Sequence, residues 1–305
     1  MTGKTVDIVI PTYHLPTDFA DLLNSLSRQR FPAGNIIIMH TLSEDEELPS
    51  FPGFGNVSVY PVRETEFDHG KTRDEGLKKS SASHVLFLTQ DVKVRDEFLV
   101  ENLLKAFEDP ETAAAYGKQE AGPGASPVEA ITRKFNYPDV SSVKTRDDIE
   151  RLGIKTFFLS DVCAMYDRET YLELGGFITK TIFNEDMIFA HKIIMSGKKV
   201  AYCADARVEH YHNYTGMQQL RRNFDLGVSQ KDHPEVFENI SSEKEGASLV
   251  KNTVKELFRM KKPFGVFRLV YLSGMKYVGY RLGKAYRRLP EGLVRKLSMN
   301  KNYWR

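Results

Sequence analysis

Cysteine is scarce: Cys163 and Cys203 are the only two in 305 residues, and their separation matches no metal-binding spacing. Two thiols make no disulfide framework, which points to a reducing compartment. No stretch offers about eighteen uncharged apolar residues in a row, so nothing reads as membrane-spanning. The start lacks a charged n-region, an apolar h-region and a cleavage site, and runs straight into the apolar segment Val6–Ile10. Internal repeats and low-complexity tracts are also missing. These absences argue against a disulfide scaffold, an integral membrane protein and a repeat array, and the expected location is the cytoplasm.

Net charge is scarce too, at +2, but the balance hides an asymmetry. Lys251–Arg305 carries fifteen Lys and Arg against two Glu, whereas the first 250 residues hold 28 basic and 39 acidic residues. An acidic body with a basic tail suggests that the tail meets something anionic. In that tail Phe264, Phe267, Tyr271, Met275, Val278, Leu282, Tyr286 and Leu289 recur at steps of three and four, which places them on one helical face. Lys276, Arg281, Lys284, Arg287 and Arg288 lie opposite, and Arg268 flanks the stripe. The pattern fits a helix lying in a membrane interface. Packing against the body or against a second copy, as a homodimer, fits the apolar face as well. A single-strand nucleic-acid binder interleaves aromatics with charge rather than separating them, so no nucleic-acid partner is expected.

Along the body, Val6–Ile10, Asn35–Met39, Val57–Val62 and Val85–Leu88 are short apolar runs of strand length. Asp18–Gln29, Thr72–Ser80 and Phe98–Phe107 between and after them have helical spacing. This alternation predicts an α/β fold with a mostly parallel sheet flanked by helices. Ala121–Pro127 and Tyr137–Asp148 read as loops, Phe157–Tyr166 as apolar, Asp186–Ser196 as a helix and Lys199–Tyr202 as a strand. The expected division is a nucleotide-binding and catalytic domain over 1–230 and a helical region over 231–305.

Val85–Leu88 ends in an abrupt switch to Thr89, Gln90 and Asp91. Ligands of open α/β sheets gather beyond the carboxyl ends of strands, so a carboxylate there can hold a metal ion and through it a phosphate. A turn or helix-cap role explains Asp91 equally well. Pro11-Thr12-Tyr13 after the first strand can offer backbone N–H groups and a hydroxyl to a nucleotide, or simply turn. In Phe67–Arg73, Asp68 can accept from a base N–H, Gly70 permits close backbone approach and Arg73 can face a diphosphate. A helix N-cap with an exposed Arg is the plain alternative. Glu185 and Asp186 open a helix; adjacent side chains diverge, so one of them can serve as general base, although acidic residues also suit a first turn. His210 and His212 share a face if extended and can complete a metal site with Asp91.

Taken together, Ile10–Tyr13, Phe67–Arg73, Phe87–Asp91, Tyr116–Gln119, Arg133–Pro138, Asn184–Asp186 and His210–Tyr214 resemble, in order, a family 2 inverting glycosyltransferase of the GT-A fold. Within that family the chain resembles the bacterial rhamnosyltransferases of surface-polysaccharide assembly. The resemblance implies a dTDP-sugar donor, a divalent cation (Mg2+ or Mn2+) on its diphosphate, and an acceptor hydroxyl as nucleophile. It places Asp91 at the last position of the D-x-D metal motif, with Thr89 where the first carboxylate usually stands. It makes His212 or His210 a further ligand and Asp186 the general base, with Glu185 beside it. His40 and Thr41 stand where many relatives carry an acidic residue near the base, and Gln218/Gln219 with Arg221/Arg222 resemble a Q-x-x-R-W element without its Trp. The implied activity is transfer of L-rhamnose from dTDP-rhamnose to a lipid-linked saccharide at the inner face of the cell membrane. A UDP- or dTDP-hexose donor, or a non-catalytic nucleotide-sugar or membrane-binding protein, are the other readings.

Overall fold

The computed structural model describes residues 3–44, 46–238 and 243–304. Of the expected C-terminal region, residues 239–242 and Arg305 therefore lie outside the described residues. The described chain divides into two compact units: Met1–Glu120, Pro138–Thr179 and Glu185–His210 form one, and Ala121–Tyr137, Lys180–Asn184 and Tyr211–Arg305 the other. A helix, Gly216–Asp232, runs through residue 230, and 121–137 belongs to the second unit.

The first unit holds one mixed sheet of nine strands among the described residues: β1 Val6–Tyr13, β2 Ile36–Leu42, β3 Val57–Arg63, β4 His84–Leu88, β5 Lys93–Val94, β6 Thr112–Glu120, β7 Ser142–Lys144, β8 Cys163–Asp167 and β9 Lys199–Glu209. The order is β3-β2-β1-β4-β8-β6-β9-β5, with β7 paired to β9. β3-β2-β1-β4 is parallel throughout, with Ile8 opposite Ile36 on one side and Leu86 on the other. β1, β2 and β4 are buried on both faces and read as continuous apolar runs, which is why the expected parallel sheet was visible in this half. The other half is mixed, since β8 runs antiparallel to both β4 and β6.

Helices α1 (Phe19–Ser27), α2 (His69–Lys78) and α3 (Leu99–Lys105) accompany these strands. Phe19, Leu22, Leu23 and Leu26 of α1 and Leu99, Val100, Leu103 and Leu104 of α3 pack into the core that contains Ile8, Ile10, Leu86 and Leu88. The segment from Thr112 carries three consecutive alanines, a helix-favouring run, yet it is strand β6. Its neighbours β8 and β9 supply ladders on both sides and override local preference.

The second unit is helical, with α4 (Pro127–Asn136), α6 (Gly216–Asp232), α7 (Glu243–Arg259) and α8 (Gly265–Lys284); α5 (Glu185–Met195) belongs to the first unit. Ser126 caps α4 and Pro127 occupies its first turn, while Thr215 and Gln218 form a capping box at the start of α6. α8 lies close against α6 because Gly279 and Gly283 face it: a Cβ at either would overlap the carbonyl of Leu220 or Phe224. The C-terminal segment is fastened by Asp225, which accepts from Ser298 Oγ at 2.7 Å and from the N–H groups of Met299 and Asn300 at 2.9 and 3.0 Å. Among the described residues no helix is long and apolar enough to cross a membrane.

Candidate active site

The chain moves from β1 outward through β2 and β3, then returns to place β4 on the other side of β1. The carboxyl ends of β1 and β4 therefore flank the topological switch point, where open α/β sheets hold ligands. Gln90 locks these two ends together: its Oε1 accepts from Tyr13 N–H and its Nε2 donates to Tyr13 C=O, both at 2.8 Å. Thr89 Oγ1 is buried there and has no hydrogen-bond partner.

Asp91 follows β4 by three residues, and the antiparallel β5–β9 ladder pairs Lys93 with Glu209. That register brings Asp91 back against His210, with Asp91 Oδ2 3.3 Å from His210 Nε2. Gln119 sits opposite Val208 in the neighbouring ladder and reaches the other ring nitrogen, its Oε1 lying 3.1 Å from His210 Nδ1. The Gln119 amide donates to Ser160 Oγ at 3.0 Å, which turns its oxygen towards the imidazole. A carbonyl oxygen only accepts, so Nδ1 carries the proton in the neutral ring and Nε2 presents its lone pair to the Asp91 carboxylate. In that tautomer the imidazole nitrogen and the carboxylate form an oxygen/nitrogen donor set suited to a divalent cation. The orphaned Thr89 hydroxyl, two residues before Asp91, adds a polar atom for the same ligand. The residues fit the metal the sequence implies. His212 lies two residues on, in the second unit, where its ring stacks on Tyr214 at 4.9 Å.

A second cluster surrounds the start of α5. Asn184 has a φ of 67°, a left-handed conformation that Asn tolerates better than most residues. Glu185 turns inward and pairs with Arg73 Nη1 at 3.0 Å, while Asp186 is the less buried of the two. Asp161, which no sequence signal marked, lies 3.5 Å from Arg73 Nε and accepts from Tyr166 Oη at 2.7 Å. Its N–H donates to Asp186 Oδ2 at 3.4 Å, and Met187 N–H donates to Asp186 Oδ1 at 2.7 Å. One guanidinium thus faces three carboxyl groups in a largely dry setting, an excess of acidic groups that favours their protonated forms. Burial pushes the Asp161 carboxyl up to about 7 against the pull of Arg73. Burial, then Glu185 and Asp161, hold Asp186 well above the ordinary carboxylate range. A carboxylate so raised is a strong proton acceptor once ionised.

Five of the expected nucleotide contacts have partners or places of their own in the fold. The Thr12 side chain is buried, and its hydroxyl lies 2.8 Å from His40 Nδ1; His40 Nε2 in turn donates to Glu46 Oε1 at 3.1 Å. Gly70 is small because a Cβ would overlap the Ile178 carbonyl of its own unit. Arg73 is only 6 % exposed and faces Asp161 and Glu185 instead of the surface that could meet a diphosphate. Asp68 caps α2, accepting from Lys71 N–H at 2.8 Å, and Pro11 lies within β1 opposite Met39. In the second unit Gln218 serves the α6 capping box, and Arg222 lies over the Phe183 ring at 4.6 Å.

The open α/β sheet, with a carboxylate–histidine pair beyond the end of β4 and a carboxyl cluster at a helix start, is in keeping with a glycosyltransferase of the GT-A type, the class that comparison with known proteins gives. Residues 7–175 match glycosyl transferase family 2, and the chain belongs to that family. It is 37 % identical to the O-antigen chain rhamnosyltransferase RfbN of Salmonella typhimurium, over 98 % of this chain and 96 % of that protein. It is 35 % identical to the O-antigen chain rhamnosyltransferase WbaN of Salmonella anatum, over 97 % and 95 % of the two chains. Its fold is similar to that of the mannosyltransferase PcManGT from Pyrobaculum calidifontis, in complex with GDP-Man and Mn2+, with a TM-score of 0.55 at 15 % identity over 99 % of this chain and 85 % of that one.

Proposed function

We propose that this glycosyltransferase moves L-rhamnose from dTDP-rhamnose to a hydroxyl of a lipid-linked saccharide during surface-polysaccharide synthesis, at the cytoplasmic face of the cell membrane. Near full-length similarity to two O-antigen chain rhamnosyltransferases is the observation that carries this reading. The donor lies across the carboxyl ends of β1, β2 and β4, lined by Pro11, Tyr13, Asp68, Thr89 and Gln90, with Thr12, Gly70 and Arg73 building the walls behind them. Asp186 takes the proton of the acceptor hydroxyl as its oxygen bonds to the anomeric carbon. The bond from that carbon to the donor phosphate oxygen breaks in the same step, dTDP leaves with the electron pair, and the configuration inverts. Glu185 holds Arg73 in place, and through the shared cluster keeps Asp186 basic. A divalent cation, Mg2+ or Mn2+, bound by Asp91 and His210, would supply positive charge to the departing diphosphate.

The test is release of nucleotide from a panel of dTDP-L-rhamnose, dTDP-glucose, UDP-GlcNAc and GDP-mannose, with Mn2+ or with EDTA. Release from dTDP-L-rhamnose alone, abolished by EDTA, supports the reading. Release from a UDP- or dTDP-hexose instead keeps the mechanism and removes rhamnose. Thr89, in place of a carboxylate, favours one rival, a nucleotide-sugar-binding protein without turnover. Tight dTDP binding with no release from any donor, even with a lipid-linked saccharide added, would favour it.

A further inference from the structure

A surface helix ordinarily buries one apolar face and shows a polar one to water. Helix α8 does not. Its buried side is Leu269, Leu272, Gly279 and Gly283, and the glycines fix its rotation against α6. That rotation turns the aromatic side outwards: Phe264 is 84 % and Phe267 77 % exposed, and Val270, Tyr271, Tyr277 and Val278 are exposed with them. At 100° per residue Phe264, Phe267, Tyr271 and Val278 form one ridge, with Arg268 on one flank and Arg281 on the other. Phe258 and Met260, at and just beyond the end of α7, add two more exposed apolar side chains beside Arg259, Lys261 and Lys262. So large an apolar surface on one helix marks a docking face.

We infer that the aromatic ridge of α8 and the end of α7 dock this protein on an anionic phospholipid surface. Phe and Tyr suit the boundary between headgroup and acyl chain, and Lys and Arg suit lipid phosphates. Charge decides between a bilayer and a second copy. The charged residues that flank the ridge, Arg259, Lys261, Lys262, Arg268 and Arg281, are all basic, so a two-fold contact through this face would set like charges against each other. An anionic bilayer neutralises them. The inference deepens the proposed function, whose lipid-linked acceptor lies in such a surface.

The experiment is co-sedimentation of the full chain with phosphatidylglycerol/phosphatidylethanolamine vesicles and with phosphatidylcholine vesicles. Binding to the anionic vesicles is expected, weakened by salt, and reduced at least tenfold both in Phe264→Asp/Phe267→Asp and in Lys261→Glu/Lys262→Glu. Nucleotide release from soluble donor, measured without vesicles, stays at the wild-type level in both variants and reports their folding. Equal binding of variants and wild type overturns the inference. So does a wild-type dimer, seen by light scattering, that Phe264→Asp/Phe267→Asp dissociates while vesicles bind neither protein, since the face then belongs to a second copy. Wild-type protein that binds anionic vesicles through this face but releases no nucleotide ends the transferase reading and leaves the docking face standing.

Discussion

Replacing Gln119 with Leu removes a side chain that need not touch a bound ion, and is expected to weaken Mn2+ binding. In the native arrangement the Gln119 amide, anchored on Ser160 Oγ, accepts from His210 Nδ1 at 3.1 Å. Leu cannot accept, so the Nδ1–H of a histidine only 7 % exposed loses its partner. The stranded donor costs about 1–3 kcal/mol, and the ring can now flip its tautomer and turn an N–H towards Asp91. Partners of this kind typically change metal affinity about 10–100-fold, or about 1.4–2.7 kcal/mol. Calorimetric titration of Mn2+, with the thermal midpoint as a check on folding, reads this directly. Gln119→Glu restores an acceptor and is expected to bind at least as tightly as wild type. Mn2+ affinity within twofold of wild type in Gln119→Leu would refute the tautomer argument.

Three further outcomes follow from the same structure. Arg73→Met strands Asp161 and Glu185 in the interior and is expected to cost about 3–5 kcal/mol of stability; urea unfolding measures it, and a loss below about 1 kcal/mol would mean the ion pairs are not what holds α2 to α5. In the proposed mechanism activity requires ionised Asp186, whose pKa is raised by burial, Glu185 and Asp161, so kcat is expected to climb as pH rises above the ordinary carboxylate range. Asp161→Asn removes one raising charge and is expected to move that acid limb to lower pH; a limb that stays in place separates the two groups. Gly283→Leu forces a side chain against the Phe224 carbonyl and is expected to destabilise the helical unit by about 1–3 kcal/mol, seen as a lower thermal midpoint, whereas Gly274→Leu, with open space at its Cβ, leaves the midpoint nearly unchanged.

The strands that could be read from the sequence are those whose own residues carry the signal. β1, β2 and β4 are apolar runs buried on both faces, and their order already put Tyr13 and Asp91 at one sheet edge. β6 could not be read in this way, because what makes Ala113–Ala115 a strand is the pair of ladders on either side of it. Helices α4 and α6 did announce themselves, through Ser126-Pro127 and the Thr215/Gln218 capping box, but the surrounding Gly, Pro and polar residues masked the signal. Asp161 had no local signature at all. Its meaning comes from Arg73 and Glu185, partners that are themselves 112 positions apart in the chain. For the tail, periodicity put Phe264, Phe267, Tyr271, Met275, Val278, Leu282, Tyr286 and Leu289 on one face, but only its first part is exposed: Leu282, Tyr286 and Leu289 pack against the cluster of Phe224, Val228 and Val294. Which face turns inward depends on Gly279 and Gly283, whose value appears only when α6 is placed against them.

The most direct test of the account is the rate of dTDP release from dTDP-L-rhamnose at saturating Mn2+ for wild type and Asp186→Asn. The two side chains are nearly isosteric, so binding of Mn2+ and of dTDP is expected to stay unchanged. A general base contributes about 10²–10⁴-fold, and a fall in kcat of that size, with both affinities intact, is the predicted result. A variant that retains kcat within about threefold of wild type would contradict the assignment of Asp186 as the proton acceptor.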